Sequence, residues 1–184
     1  EADCPYVRIA SVSLDEPGCM VVTNDSRGAA EAARHLAQLG HSRVAFISGP
    51  ELFRSSHERG RGFREGLAEH GMTLDEAYVR QGAYTFESGV EAARDLLAMS
   101  APPTAIFAGN DEMAIGVMKA ARDAGLDVPR DLSIVGFDDL PMASRVWPNL
   151  TTVRLPIRDM GRMAAEKLTA RLRGRWCSRL SIPH

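Results

Sequence analysis

Cysteine is scarce in this chain, with three in 184 residues. Cys4, Cys19 and Cys177 are odd in number, far apart and free of any C-x-x-C spacing. That pattern argues against a disulfide framework and against zinc, and makes a reducing cytoplasm the simpler home. Long apolar runs are missing as well: none approaches the roughly 20 residues of a membrane-spanning helix, so no membrane partner is expected. Nor does one sign of charge dominate, since 22 Lys and Arg stand against 24 Asp and Glu for a net charge of −2. Such a balance leaves no electrostatic footprint for nucleic acid, and Arg171, Arg173, Arg175 and Arg179 read as a solvated helix end. The chain carries no internal repeat, low-complexity tract or flexible linker. It opens at Glu1 without a start methionine and reads as an internal fragment, so the lack of a leader excludes nothing.

Most motifs of covalent chemistry are missing too. There is no Walker loop, nucleophile elbow or H-E-x-x-H, and His35, His41, His57, His70 and His184 show no metal-ligand spacing, so neither metal nor cofactor is expected. Gly60, Gly62 and Gly66 imitate a dinucleotide fingerprint, but the last interval is wrong and they lie within a helical pattern. Asp138 and Asp139 invite an acid/base reading, yet neighbours at a strand end point in opposite directions, which suits one ligand contact and one helix cap better.

What is present is a repeated grammar of strand and helix. Residues 5–10, 21–23, 43–48, 77–81, 103–109, 132–137 and 150–153 read as short strands. The best of them, around Ala105, Ile106, Phe107 and Ala108, is apolar throughout, as a strand covered on both faces should be, and breaks off into Asn110 and Asp111. Its counterpart around Ile134, Val135 and Phe137 breaks off into Asp138 and Asp139. Between the strands run helical patterns: Ala29, Ala33 and Leu36 capped by Asn24 or Asp25 and stopped at Gly40; a helix from about His57 to His70 closed at Gly71; Val90, Ala93 and Leu97 capped by Thr85; Ala114, Val117 and Ala121 stopped at Gly125; and a last helix through Met160, Ala164 and Leu168. A short helix is expected after Pro141. This alternation predicts a doubly wound α/β fold with a parallel sheet, whose ligand crevice lies at the carboxyl ends of the strands. Asn110, Asp111, Asp138 and Asp139 fall there.

Arg59 shares the helix stripe of Phe63 and Leu67 yet carries a permanent charge. Read as lying in the first helical turn, it points toward the same crevice. It serves there either as half of a structural ion pair with one of the aspartates or as a planar fork on ligand hydroxyls opposite Asp138.

Taken in order, Asn24-Asp25, Gly40-His41, Arg59 with Gly62-Phe63, Asn110-Asp111-Glu112-Met113-Ala114, Gly136-Phe137-Asp138-Asp139 and Leu150-Thr151-Thr152-Val153 resemble the lac-repressor and galactose-repressor (LacI/GalR) family of bacterial transcription regulators. The resemblance implies a core of two Rossmann-like lobes similar to periplasmic sugar-binding proteins (type I), preceded by a helix-turn-helix outside this chain. It divides the chain into a remnant of the N-terminal lobe at 1–23, a C-terminal lobe at 24–150, crossover and return helix at 151–176, and a return to the C-terminal lobe at 177–184. It puts Arg59, Asn110 and Asp138 on ligand hydroxyls, Tyr84 at an aromatic wall or else in the core, and Leu155 and Ile157 on the opposite lobe. Phe53 and Trp147 become rim aromatics or simple packing. Ile115, Met118 and Val146 fall on a homodimer interface, with core filling as the other reading of Met118. The implied function is a cytoplasmic repressor that binds a sugar-like effector between its lobes and operator DNA through the missing domain, without enzymatic activity. A purine effector, a secreted sugar receptor on the same fold and a sugar-converting enzyme are the rival readings.

Overall fold

The computed structural model describes residues 4–9 and 20–173 together with the backbone of 180–182. Among the described residues, eight strands and five α-helices follow one another as β1 (Arg8–Ile9), β2 (Met20–Thr23), α1 (Asp25–Gln38), β3 (Val44–Ser48), α2 (Arg54–Ala68), β4 (Val79–Gln81), α3 (Phe86–Leu97), β5 (Ala105–Ala108), α4 (Asp111–Asp123), β6 (Ser133–Asp138), β7 (Thr151–Arg154), α5 (Ile157–Leu172) and β8 (Leu180–Ile182). They build two parallel sheets. The larger has the order β4-β3-β5-β6-β7 and the smaller β1-β2-β8.

Alternation along the central strands sorts the core into two layers. Val44 and Phe46 of β3, Ala105 and Phe107 of β5, and Val135 and Phe137 of β6 face α1 and α2, against Ala33, Leu36, Phe63 and Leu67. Their neighbours Ala45, Ile47, Ile106, Ala108 and Ile134 face α3 and α4, against Val90, Leu96, Met113 and Val117. Hence the strands are apolar throughout, since both faces are covered. On the first face Phe46, Phe63 and Phe107 form a triangle of rings with centroids 5.7, 4.8 and 5.4 Å apart, and Phe137 joins it at 6.4 Å from Phe107. All four are fully buried, and truncating any one to Ala costs about 3–5 kcal/mol.

Helix ends follow the sequence signals. Asn24 caps α1 by accepting the Arg27 N–H at 3.2 Å, and Thr85 caps α3. Gly40, Gly71 and Gly125 leave their helices with φ of +85°, +71° and +74°. The helices on each face touch through glycine: a Cβ on Gly62 would stand 1.9 Å from the Ser26 carbonyl oxygen, and one on Gly116 2.3 Å from that of Phe86. The false dinucleotide fingerprint is therefore a helix-packing surface.

Four expectations are corrected. Helix α2 begins at Arg54 rather than near His57, because extended Phe53 opens it with no side-chain cap to flag the start. Arg59 thus sits in the second turn. The segment after Pro141 is a string of turns, not a short helix. Residues 180–182, expected in the C-terminal lobe, pair with Val21–Thr23 in the small sheet, and Thr151–Arg154 form the edge of the large sheet beside β6. The last helix covers the small sheet through Met160 and Ala164 on Val21.

Candidate functional site

In the large sheet the chain leaves β3 for β4 on one side and returns past it to β5, so the strand order reverses between β3 and β5. In open parallel sheets such a switch point, outside the carboxyl ends of the strands, is where ligands bind. The rim there is made by Gly49 after β3, Gly109 and Asn110 after β5, and Asp138 and Asp139 at the end of β6.

Arg59 reaches this rim from α2 and is 6% exposed. Its Nε donates to Asp25 Oδ2 at 3.0 Å, Nη1 donates to the Gly109 carbonyl, and Nη2 faces Asp138 Oδ1 at 3.3 Å. The guanidinium lies over the Phe137 ring, 3.8 Å from its centroid, at the edge of the aromatic cluster. The ion-pair reading of Arg59 therefore holds, with two aspartates. One hydrogen on each Nη remains outside these bonds. Asp138 pays electrostatically for its place: burial pushes its carboxyl up to about 6, Arg59 offsets part of that, and the carboxylates of Asp111 and Asp25 add to it.

Among the described residues three non-glycine residues take positive φ, and all lie at this rim: Tyr84 at +62°, Asp138 at +114° and Asp139 at +56°. Such backbone costs on the order of 1–3 kcal/mol per residue and persists only where surrounding bonds over-determine it. For Tyr84 those bonds are visible. Its carbonyl accepts Asn110 Nδ2 at 3.0 Å, and its hydroxyl meets Ser55 and Ser56 at 3.0 and 2.8 Å. Its ring lies on Gly49, where a Cβ would come within 2.0 Å of Cζ. Asn110 also caps α4 by accepting the Met113 N–H at 3.0 Å.

The expected residues separate into groups. Arg59, Tyr84, Asn110 and Asp138 come together, and Phe53 joins them with its ring edge-on to Tyr84 at 5.8 Å. Leu155 is adjacent, donating its N–H to the Asp138 carbonyl at 3.3 Å. Ile157 opens α5 and is exposed. Trp147 is not at this rim: its carbonyl accepts from Arg122 in the last turn of α4, at the opposite end of the sheet from Asn110. It lines a groove of about 310 Å³ along the outer side of α4 with Phe86, Ile115, Met118 and Val146. Asp111 is also corrected. Fully buried rather than in the crevice, it accepts the Leu140 N–H at 2.7 Å and the Thr152 hydroxyl at 2.5 Å, bracing α4 to β7 and to the chain after β6. Asp139 caps no helix and instead binds Arg154 Nε at 2.5 Å.

Sequence reasoning missed Asp25 as the partner of Arg59 and missed the serines that hold Tyr84. The signal for Asp25 was a second polar residue beside a helix cap, more than the cap alone requires. Among the described residues no cluster of His, Cys, Asp or Glu could hold a metal ion, and no helix is long and apolar enough to cross a membrane. The rim presents a donor fork, a carboxylate and a carboxamide beside an aromatic ring, a set suited to reversible hydrogen bonding of a polar small molecule.

A parallel sheet covered by helices on both faces, with polar residues at its switch point, has the architecture of the open α/β folds, and comparison with known proteins identifies it more narrowly. The pattern of the periplasmic binding protein-like domain matches residues 33–176. The HTH-type transcriptional regulator DegA of Bacillus subtilis is 44% identical over 158 residues, covering 84% of this chain and 47% of its own length. The crystal structure of a LacI-family regulatory protein from Chloroflexus aggregans superposes with a TM-score of 0.90 at 35% identity, over 97% of this chain and 65% of that one. The transcriptional regulator CelR, solved with cellobiose, gives 0.91 at 35%, over 97% and 56%. The chain belongs to the periplasmic binding protein-like family, in its LacI-type branch. These relatives are transcriptional regulators, not enzymes. The chain spans about half the length of the curated relatives it matches.

Proposed function

We propose that this chain is the effector-sensing core of a cytoplasmic, LacI-type transcriptional repressor. A saccharide is the effector. Its hydroxyls engage Arg59, Asp138 and Asn110, and the Tyr84 ring covers one apolar C–H face with Phe53 at its edge. Leu155 and Ile157 contribute from the side of α5. The observation that carries the reading is the Arg59–Asp138 pair, 3.3 Å apart at the switch-point rim, beside three residues held in strained backbone. Operator DNA is bound through a helix-turn-helix outside these residues. Because the effector prefers one arrangement of the two sheets, it shifts the population between DNA-competent and incompetent forms. A secreted sugar receptor shares the fold, but relatives that are regulators favour the repressor.

Two copies associate through the groove of Phe86, Ile115, Met118, Val146 and Trp147. Phe86 is 37% and Trp147 83% exposed, an apolar surface that a second copy would cover.

Calorimetry against a panel containing cellobiose, ribose, galactose and guanine tests the effector. A saccharide is expected to bind, and Arg59→Ala and Asp138→Ala are each expected to abolish binding with the fold intact. Unchanged affinity in both variants, or binding of guanine alone, refutes the assignment.

A further inference from the structure

Asp25 holds a position that its sequence context does not require. Asn24 already caps α1, so the first turn has no need of Asp25 as a cap. Its carboxylate is buried instead, with the residue 4% exposed, and its two oxygens serve different parts of the molecule. Oδ2 accepts Arg59 Nε at 3.0 Å, whereas Oδ1 accepts the hydroxyl of Thr23. Thr23 ends β2 in the three-stranded sheet, and Arg59 belongs to α2 on the five-stranded sheet. Asp25 therefore links the last residue of β2 in the small sheet to α2, a helix packed on the large one.

The bond to Nε differs in kind from the others on Arg59. An arginine stem carries about 2 kcal/mol of rotamer entropy, and a carboxylate holding one Nη leaves the fork free to swing about that contact. A second carboxylate on Nε removes that rotation. With Nη1 on the Gly109 carbonyl and the flat face on Phe137, the guanidinium is left one plane.

The geometry points to Asp25 as a positioning residue: it fixes the plane of the Arg59 fork for a polyhydroxy effector and ties that plane to Thr23 in the passage between the sheets. This rests on the proposed role of Arg59 and Asp138. An occupant that reorients Arg59 acts through Asp25 on Thr23, which gives ligand occupancy a path of three contacts to the small sheet. A plain brace between α1 and α2 would affect stability alone.

The test uses the purified protein with Asp25→Asn, which keeps the shape and removes the charge, and Thr23→Val, which keeps the charge and removes its anchor. Without ligand, nitrogen-15 NMR follows exchange of the Arg59 Nε proton, and carbon-13 NMR follows titration of the Asp138 carboxyl. The charged groups facing Asp138 are Arg59 from α2, Asp25 from α1 and Asp111 from α4, with Asp139 and Arg154 beside it. In the wild type the Nε proton is expected to be protected and Asp138 to titrate near 6. In Asp25→Asn the protection is lost and the titration moves down, because one raising charge is gone and Arg59 is freer to approach. Thr23→Val loses protection while keeping the fold. Whichever of cellobiose or ribose binds the wild type should bind Asp25→Asn about tenfold more weakly, or worse. An unchanged Nε exchange and Asp138 titration in Asp25→Asn, or wild-type affinity for a bound sugar, overturns the proposal. If neither sugar binds the wild type, the effector reading fails for those sugars, and the NMR measurements still decide the role of Asp25.

Discussion

Replacing Asp138 by Asn should make the protein more stable while destroying its binding. The folded protein holds the Asp138 carboxyl at about 6 against an ordinary 3.8, chiefly through burial. Between those values the native state binds more protons than the unfolded chain, so stability falls as pH rises through that window, and the penalty is fully present above it. A gap of about two units corresponds to about 3 kcal/mol as an upper bound. The carboxyl retains some contact with water, its side chain being 19% exposed, and Asn gives up the contact with Arg59, which reduces the gain to about 1–2 kcal/mol. Arg59 itself keeps Asp25, so the substitution strands no charge. For a domain of this size the gain is a rise of about 3–6 °C in Tm at pH 7.5. Scanning calorimetry of both proteins from pH 7.5 to 4.5 isolates the effect, because the other titrating groups are common to both. The difference should shrink as pH falls through 6 toward 4. A variant that melts below the wild type at pH 7.5, or a difference independent of pH, would show that the ionised carboxylate stabilises the fold and would refute the reasoning.

His41 should behave with the opposite sign. Its ring nitrogens meet the hydroxyls of Thr104 at 2.9 Å and Ser133 at 3.0 Å, and burial pushes its pKa below 6.5. Its contribution is present above 6.5 and lost as pH falls; His41→Ala should cost about 1–2 kcal/mol at pH 8 and flatten the urea-denaturation profile below 6.5 relative to wild type. Gly62→Ala drives a methyl into the Ser26 carbonyl and should cost more than about 3 kcal/mol by parting α1 from α2; a loss under about 1 kcal/mol in urea denaturation would contradict the close packing. Met118→Asp should leave the fold intact and convert the dimer to monomer in sedimentation equilibrium at micromolar concentration, whereas a wild type already monomeric there ends the interface proposal.

Much of the architecture was legible because its signals are local. Buried parallel strands must be apolar on both faces, and helices must stop where glycine takes positive φ, so β5, β6, α1 and α4 stand out from composition and spacing alone. The start of α2 was hidden because Phe53 provides no side-chain cap, so the first usual mark fell at His57 and moved Arg59 by a turn. The site was half legible. Arg59, Asn110 and Asp138 announce themselves as polar residues where the pattern demands apolar ones or a strand ends. Trp147 gave no such signal, since an aromatic in an irregular segment packs wherever the chain delivers it, here against the far end of α4.

The sequence by itself determined the two-faced strands, the helices between them and the arrival of acids at one sheet edge, because periodicity and capping depend on near neighbours. Only the tertiary structure decided which carboxylates meet Arg59, that Asp111 is a brace while Asp25 is a partner, and that residues 180–182 join β2. Those pairings join positions up to about 160 residues apart, and charge partnership depends on distances of a few ångströms that no local pattern encodes.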